Sequence, residues 1–283
     1  MRENENVLYH YTDYQALDGI LRESQLRLNN VLNMNDASEL RLFMRGLCEA
    51  VEKRFLDLGR EETARQVREL FLRELKREFN YSGYAACFSL FRDEASQWER
   101  YGNRGRGVCI GFRRDLLERI SVGAVSLKTV FYKDEDDINE HELVDVFCNL
   151  MGSMDRLDEE NPKIREVLNE AWVSSAAFKH PSFAAEREVR LVVSPFGKEY
   201  FDVEPQYHVS RERIKKYYPL NLKFMCMREG LVVEDLITEI IIGPESTQSQ
   251  PILVDYLKDN RMEGLADKVF VSDCPLRRTL DRM

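Results

Sequence analysis

The chain has 283 residues, enough for one large domain or two small ones. Apolar residues make up 43% and charged residues 32%, which calls for a sizeable core under a well-solvated surface. With 41 basic against 50 acidic residues the net charge is −9, which argues against a broad nucleic-acid-binding face but leaves room for a local basic cleft. No run of about 18 apolar residues occurs, so no membrane span is expected. MRENENVLYH has no apolar signal-peptide core, and cytoplasmic residence is the expectation. Cys48, Cys87, Cys109, Cys148, Cys226 and Cys274 include no Cys-x-x-Cys pair, so buried reduced thiols are expected and structural zinc is not.

In chain order, VLYHYT reads as a strand, and DYQALDGILRES as a helix with Leu17, Ile20 and Leu21 at helical spacing. LRLNN is a second short strand. Asp36 and Glu39 have the spacing of a capping box ahead of a long amphipathic helix. A second helix carries Val67, Leu70, Phe71, Leu75 and Phe79. YAACFSLF (84–91) is a buried strand, EASQWERYG a short helix or turn, and GVCIGF (107–112) and LKTVFY (127–132) are further buried strands. Residues 137–178 read as helical, broken near Asn161-Pro162. EREVRLVVS (186–194) and ITEIIIGP (237–244) are strands, SQPILVDYLKDN a helix and KVFVS a final strand. Short strands dispersed among helices favour a single α+β domain over 1–283, with helical insertions at about 36–80 and 137–178.

Four stretches bear residues able to do chemistry. On a strand, Glu186, Glu188 and Arg190 share one face, with Val189, Leu191 and Val193 on the core face. Two carboxylates and a guanidinium there either form a structural ion pair at a sheet rim or face a cleft. Trp98 and Tyr101 lie on one helical face, ahead of a Gly-rich loop in which Arg104 and Arg106 are either solvated or available to phosphates. That loop has neither Walker nor dinucleotide spacing. In NMNDASE the carboxylates have a good structural explanation as a helix cap. His10 lies between two tyrosines on a strand, either as a packed ring or as a ligand holder. His141, His180 and His208 are weaker candidates. No His-x-x-x-His, Gly-x-Ser-x-Gly or serine triad is visible.

Taken in order, LYHYTDYQALDGIL…LRLNN…NMNDASE, CFSLFRDEASQWERYGNRGRGVCIGF, FKHPSFAAEREVRLV and ITEIIIGP resemble the bacterial domain of unknown function 2971 family over about residues 8–275. Where that family usually has Asn-Asp-Pro-Phe-Glu, this chain has Asn35-Asp36-Ala37-Ser38-Glu39, and where it has Met-Trp this chain has Gln97-Trp98. Three short stretches also resemble ADP-ribosyltransferases: the first strand with His10 and Thr12, the strand bearing Ser89, and the Glu-x-Glu of EREVR. That second resemblance implies an ADP-ribosyltransferase-like mixed or antiparallel sheet and an enzyme that cleaves the nicotinamide–ribose bond of NAD. It would transfer ADP-ribose to an unknown acceptor, in bacterial defence or as a toxin. It implies Glu188 facing the oxocarbenium ion, Glu186 orienting the acceptor and His10 holding a ribose hydroxyl or the nicotinamide. Tyr11, Thr12, Ser89 and Arg190 join the NAD-binding set, Trp98 or Tyr101 stacks on nicotinamide, and Arg104 or Arg106 meets the pyrophosphate. No metal is expected, and the acceptor is open among protein, nucleic acid, small molecule and water. Two other readings stand beside this one: a binding or sensor module with His10, Glu188 and Arg190 in a polar network, and a metal-dependent nuclease using Asp36, Glu39, Glu186 and Glu188.

Overall fold

Alternating side chains set the character of β1 (Val7–Thr12). Leu8 enters the main core, while Val7, Tyr9 and Tyr11 pack on the other face with Trp98. His10 and Thr12 follow on the Leu8 face. The computed structural model describes residues 5–31, 37–77, 83–133, 135–193, 204–209 and 214–276. Asp36, the Glu39 side chain and Phe79, which figured in the expected cap and second helix, lie outside the described residues.

Asp13 caps α1 (Tyr14–Leu21) by accepting the Ala16 N–H at 2.8 Å. β2 (Gln25–Asn30) sends Leu26 and Leu28 to the core. The first insertion is the helix pair α2 (Ala37–Asp57) and α3 (Glu61–Arg77). Then come β3 (Tyr84–Ser89), α4 (Ala95–Arg100), β4 (Val108–Arg113), α5 (Arg114–Ile120), β5 (Val125–Thr129) and β6 (Phe131–Tyr132). The single strand expected over 127–132 is two, because Val130 donates its N–H to Glu188 O while Phe131 donates to Ala177 O. The chain thereby leaves the large sheet for a small parallel one. α6 (Glu142–Gly152) and α7 (Pro162–Ser175) form the second insertion, broken where expected, with Asn161 as cap and Pro162 in the first turn. β7 (Phe178–Lys179), β8 (Glu188–Val193), β9 (Gln206–Val209), β10 (Ile214–Asn221), α8 (Leu222–Arg228), β11 (Ile237–Ile242), α9 (Gln250–Asp259) and β12 (Val269–Val271) complete the order.

The result is an α+β fold around a mostly antiparallel ten-stranded sheet, β12-β11-β4-β1-β3-β2-β10-β9, with β8 and β5 joined through β3. Only β11–β12 among the described pairs of this sheet is parallel. One core gathers Leu8, Leu28, Phe88, Ile110, Leu191 and Ile240 against the sheet. A second packs Phe43, Val51, Phe71, Phe147, Ile164 and Trp172 among the inserted helices. No helix among the described residues is long and apolar enough to cross a membrane.

The pairing of β3 positions the site. Along one edge β3 pairs with β8 over its whole length. Along the other it pairs with β2 at Tyr84 and Ala85, and with β1 only at Ser89. β1 and β2 thus diverge from a shared neighbour, and the sheet splits beside Ala86–Phe88. A cavity of about 790 Å³ fills that split.

Candidate functional site

A backbone carbonyl left without a strand partner in the split needs another donor. His10 supplies it: Nδ1 lies 2.8 Å from Cys87 O. A carbonyl only accepts, so Nδ1 carries the proton, and the lone pair of neutral His10 is on Nε2. Burial lowers the His10 pKa, partly countered by the Cys87 hydrogen bond, so the ring is neutral at pH 7. His10 half-lines the cavity wall together with Thr12 and Ser89.

The cavity floor holds two carboxylates and their cations. β8 begins at Glu188, so the expected strand over 186–194 starts two residues late. Glu186 instead ends a 3-10 turn, and Arg187 turns the chain in the left-handed region (φ 45°). That turn still brings both carboxylates to one place. Lys179 Nζ lies 2.6 Å from Glu186 Oε2 and 3.2 Å from Glu188 Oε2. Arg190 grips Glu188 with two bonds of 3.0 Å and donates to Ala176 O at 2.7 Å. Arg100 reaches Glu186 Oε1 at 2.6 Å, and the Tyr101 hydroxyl donates to the same atom at 3.2 Å. The Glu188 N–H donates to Tyr132 Oη at 2.8 Å. Glu186, Glu188, Lys179 and Arg190 are all at most 7% exposed.

Burial alone would raise the Glu188 pKa, but the Arg190 guanidinium and the Lys179 ammonium outweigh it and hold the carboxyl at about 2. Burial likewise disfavours charged Lys179, and Glu188 with Glu186 overcomes this and keeps the ammonium protonated. Glu188 is therefore a fixed anion at neutral pH. It is also a paired one, and the ion pair expected between Glu188 and Arg190 is present. An ammonium between the two carboxylates makes this a poor seat for a divalent cation. Among the described residues no group of three His, Cys, Asp or Glu is placed to hold a metal.

The other candidate residues separate into two groups. Tyr101, Arg104 and Arg106 line the cavity with His10, Glu186 and Glu188. The loop that carries them folds over the end of β1, where a Cβ on Gly107 would meet the Thr12 carbonyl oxygen at 2.1 Å. Arg104 and Arg106 have no carboxylate partner among the described residues. Two expectations, Trp98 and Arg190, are corrected. Trp98 is fully buried on the far side of β1, its indole N–H donating to Asp93 at 2.5 Å and the Tyr11 ring edge-on to it at 4.9 Å, so it does not reach the cavity. Tyr11 is part of the cavity lining, but its ring packs on Trp98 and its hydroxyl donates to Phe91 O at 2.8 Å. Arg190 stands behind Glu188 and does not line the cavity. Ser89 lines it, but its hydroxyl donates to Glu186 O at 3.0 Å and accepts the Phe91 N–H at 3.2 Å, so it braces the Glu186 turn.

Sequence reasoning missed Lys179, Arg100 and the wall residues Arg27 and Lys215. Lys179 carried a usable signal, being a lone charge after the apolar run Ala176-Ala177-Phe178, the same anomaly that marks His10. His141 and His180 are structural: each accepts a backbone N–H at 3.2 Å, from Leu143 and Ser182, as the cap of its helical turn.

Neither a curated protein nor a solved structure matches the chain. A family model described as Protein of unknown function (DUF2971) matches residues 97–191. That segment holds Arg100, Tyr101, Lys179, Glu186, Glu188 and Arg190 but neither His10 nor Ser89, and it is shorter than the resemblance read over about 8–275. Over residues 97–191, then, the chain matches a family whose description names no activity.

Proposed function

We propose that this chain cleaves the nicotinamide–ribose bond of NAD and transfers ADP-ribose to an acceptor. The observation that carries the reading is the gathering of His10 from β1, Ser89 from β3, Glu188 from β8 and Tyr101 after α4 around one cavity. The volume, about 790 Å³, suits a dinucleotide-sized ligand. Three of these four residues come from strands that the split sheet brings side by side.

In this mechanism the ribose C1′–nicotinamide N1 bond breaks heterolytically. The electron pair leaves with nicotinamide, which becomes neutral, and the ribose becomes an oxocarbenium ion. Ionised Glu188 accepts a hydrogen bond from the 2′-hydroxyl and stabilises the positive charge. His10 Nε2 accepts a hydrogen bond from a ribose hydroxyl or the carboxamide. The Tyr101 ring, held through its hydroxyl by Glu186, packs against nicotinamide. Arg104 and Arg106 meet the pyrophosphate. The acceptor then attacks C1′, and its proton passes to water.

One observation favours a second reading, in which the domain binds a ligand without chemistry: Arg190 and Lys179 already balance the Glu188 charge. Thermal melts with NAD and a nicotinamide assay separate the two. At about 100 times its dissociation constant NAD should stabilise the protein by roughly 2.7 kcal/mol, about 4–5 °C for a chain of this size. His10→Ala should lose most of that shift. An unchanged melting temperature for the wild type would contradict NAD binding, and a shift without nicotinamide release would leave the second reading.

A further inference from the structure

Three polar side chains of β2 turn into the cavity from the face of the sheet that carries Glu188. Gln25, Arg27 and Asn29 alternate with Leu26 and Leu28. Those leucines share the core with Val189 and Leu191. Gln25, Arg27 and Asn29 therefore stand on the opposite face, as Glu188 does. All three are half-buried and line the cavity. Among the described residues, no hydrogen bond or ion pair within the protein engages any of these three side chains. Polar groups held on a cavity wall in this way take their partners from a ligand or from water.

Arg27 is the charged member of the set. Its guanidinium lies 5.2 Å from the centre of the Tyr217 ring. That ring is fixed at both ends, by the pairing of Tyr217 with Asn29 and by its hydroxyl, which donates to Gln206 at 2.8 Å. The stack covers one face of the guanidinium and leaves its edge N–H groups, the planar fork that grips two oxygens at once. Of the carboxylates that line the cavity, Asp13 caps α1, Glu99 lies on α4, and Glu186 and Glu188 are paired on the floor. None of them pairs with Arg27. A pre-oriented cation with no counter-charge is a seat for an anionic group of the ligand.

We propose that Arg27, with the amides of Gln25 and Asn29 beside it, binds a phosphomonoester on the adenosine half of the dinucleotide, so that the site prefers NADP to NAD. The inference rests on the NAD-cleaving reading and names the form of its substrate. The pyrophosphate is met by Arg104 and Arg106, in the loop between α4 and β4, so Arg27 serves a further anion. Its place in the sheet says which one. β8 and β2 pair with opposite edges of β3, so the Glu188 and Arg27 backbones are two strand spacings apart, at least roughly 10 Å. A group on the ribose held at Glu188 lies at the wrong end of that span. The 2′-phosphate of NADP, on the distant adenosine ribose, lies at the right one. Its charge approaches two at neutral pH, and its three oxygens suit the guanidinium fork together with the amide N–H donors of Gln25 and Asn29.

The test is calorimetric titration with NADH and NADPH, whose reduced ring is not a leaving group, beside nicotinamide release from NAD and NADP. Wild type should bind NADPH roughly tenfold to a hundredfold more tightly than NADH, the worth of charge-assisted hydrogen bonds to one phosphate. The same preference should appear in kcat/KM for nicotinamide release. Arg27→Gln should lose most of the preference while its affinity for NADH stays within about threefold of wild type. Arg27→Lys keeps the charge without the fork and should recover part of it. Melting temperatures show that both variants are folded. Equal affinity of wild type for NADH and NADPH, or a preference that survives in Arg27→Gln, would overturn the inference and, if NAD is still cleaved, leave the NAD-cleaving reading intact. A preference for NADPH that depends on Arg27, without nicotinamide release from either oxidised form, would sink the cleavage and leave the phosphate seat. Binding of neither dinucleotide would contradict both.

Discussion

Lys179→Met removes the cation shared by the two floor carboxylates and keeps the side chain's bulk. In the wild type its ammonium lies 2.6 Å from Glu186 and 3.2 Å from Glu188, and it is 2% exposed. Breaking a buried pair by removing one partner costs about 3–5 kcal/mol. Each carboxylate here keeps an arginine, Arg100 for Glu186 and Arg190 for Glu188, so the lower end, about 3 kcal/mol, is expected. For a chain of this size that is a fall of roughly 5 °C in melting temperature. The cost should also depend on pH. Without the ammonium Glu188 keeps Arg190, the larger cause of its low pKa, so its carboxyl is held less far below the unfolded value. The variant then has less carboxylate stabilisation to lose, and its deficit against wild type shrinks as pH falls below the ordinary glutamate value of about 4.3. Urea unfolding at about pH 7.5 and pH 3 measures both effects, with Lys179→Arg as the charge-keeping control. A Lys179→Met protein as stable as Lys179→Arg at pH 7.5, or one whose deficit does not shrink at pH 3, would refute this account of the floor.

Other outcomes follow from the same contacts. The folded Glu188 pKa of about 2 lies below the ordinary glutamate value of about 4.3, so its stabilisation is complete above that value and lost as pH falls through about 2. Chemical denaturation between about pH 5 and pH 2 should show wild type losing roughly 3 kcal/mol more than Glu188→Gln over that window, and parallel curves would contradict it. Trp98→Ala should cost about 3–5 kcal/mol of stability by emptying a fully buried site. Tyr101→Ala, at a ring 42% exposed, should stay within about 1 kcal/mol of wild type yet weaken NAD binding several-fold. Melts and NAD titrations of the two variants that gave the reverse pattern would move the stacking residue.

How much of this was legible beforehand follows from what each residue depends on. Local patterns were readable: the β1 alternation, the α1 spacing and the Asn161-Pro162 helix start depend on neighbours in sequence. The strand over 127–132 was misread because its break at Val130 is made by Glu188 O and Ala177 O, partners far along the chain. Glu186 and Glu188 do come together, but not for the local reason the sequence suggested. Their common direction comes from the left-handed turn at Arg187, not from strand alternation. Trp98 and Tyr101 share a helical face by spacing, yet α4 ends between them at Arg100, so one ring goes to the core and the other to the cavity. That β2 and β10 form one wall of the cavity could not be read from the sequence, because it needs the register of segments nearly two hundred residues apart.

Nicotinamide release from NAD by Glu188→Gln, set beside wild type and Glu186→Gln, tests the central claim most directly. The amide keeps the shape of the carboxylate and removes the anion that would face the oxocarbenium ion. The substitution also loosens the pair with Arg190, so rates are compared below the variants' melting temperatures, per folded molecule. The account predicts that Glu188→Gln loses about 10²–10³ in rate, and that Glu186→Gln, which loosens Tyr101 and Arg100 without touching the reacting carbon, loses less. A Glu188→Gln protein that is folded and releases nicotinamide at the wild-type rate would contradict it, and would leave Glu188 as the partner of Arg190 and Lys179 alone.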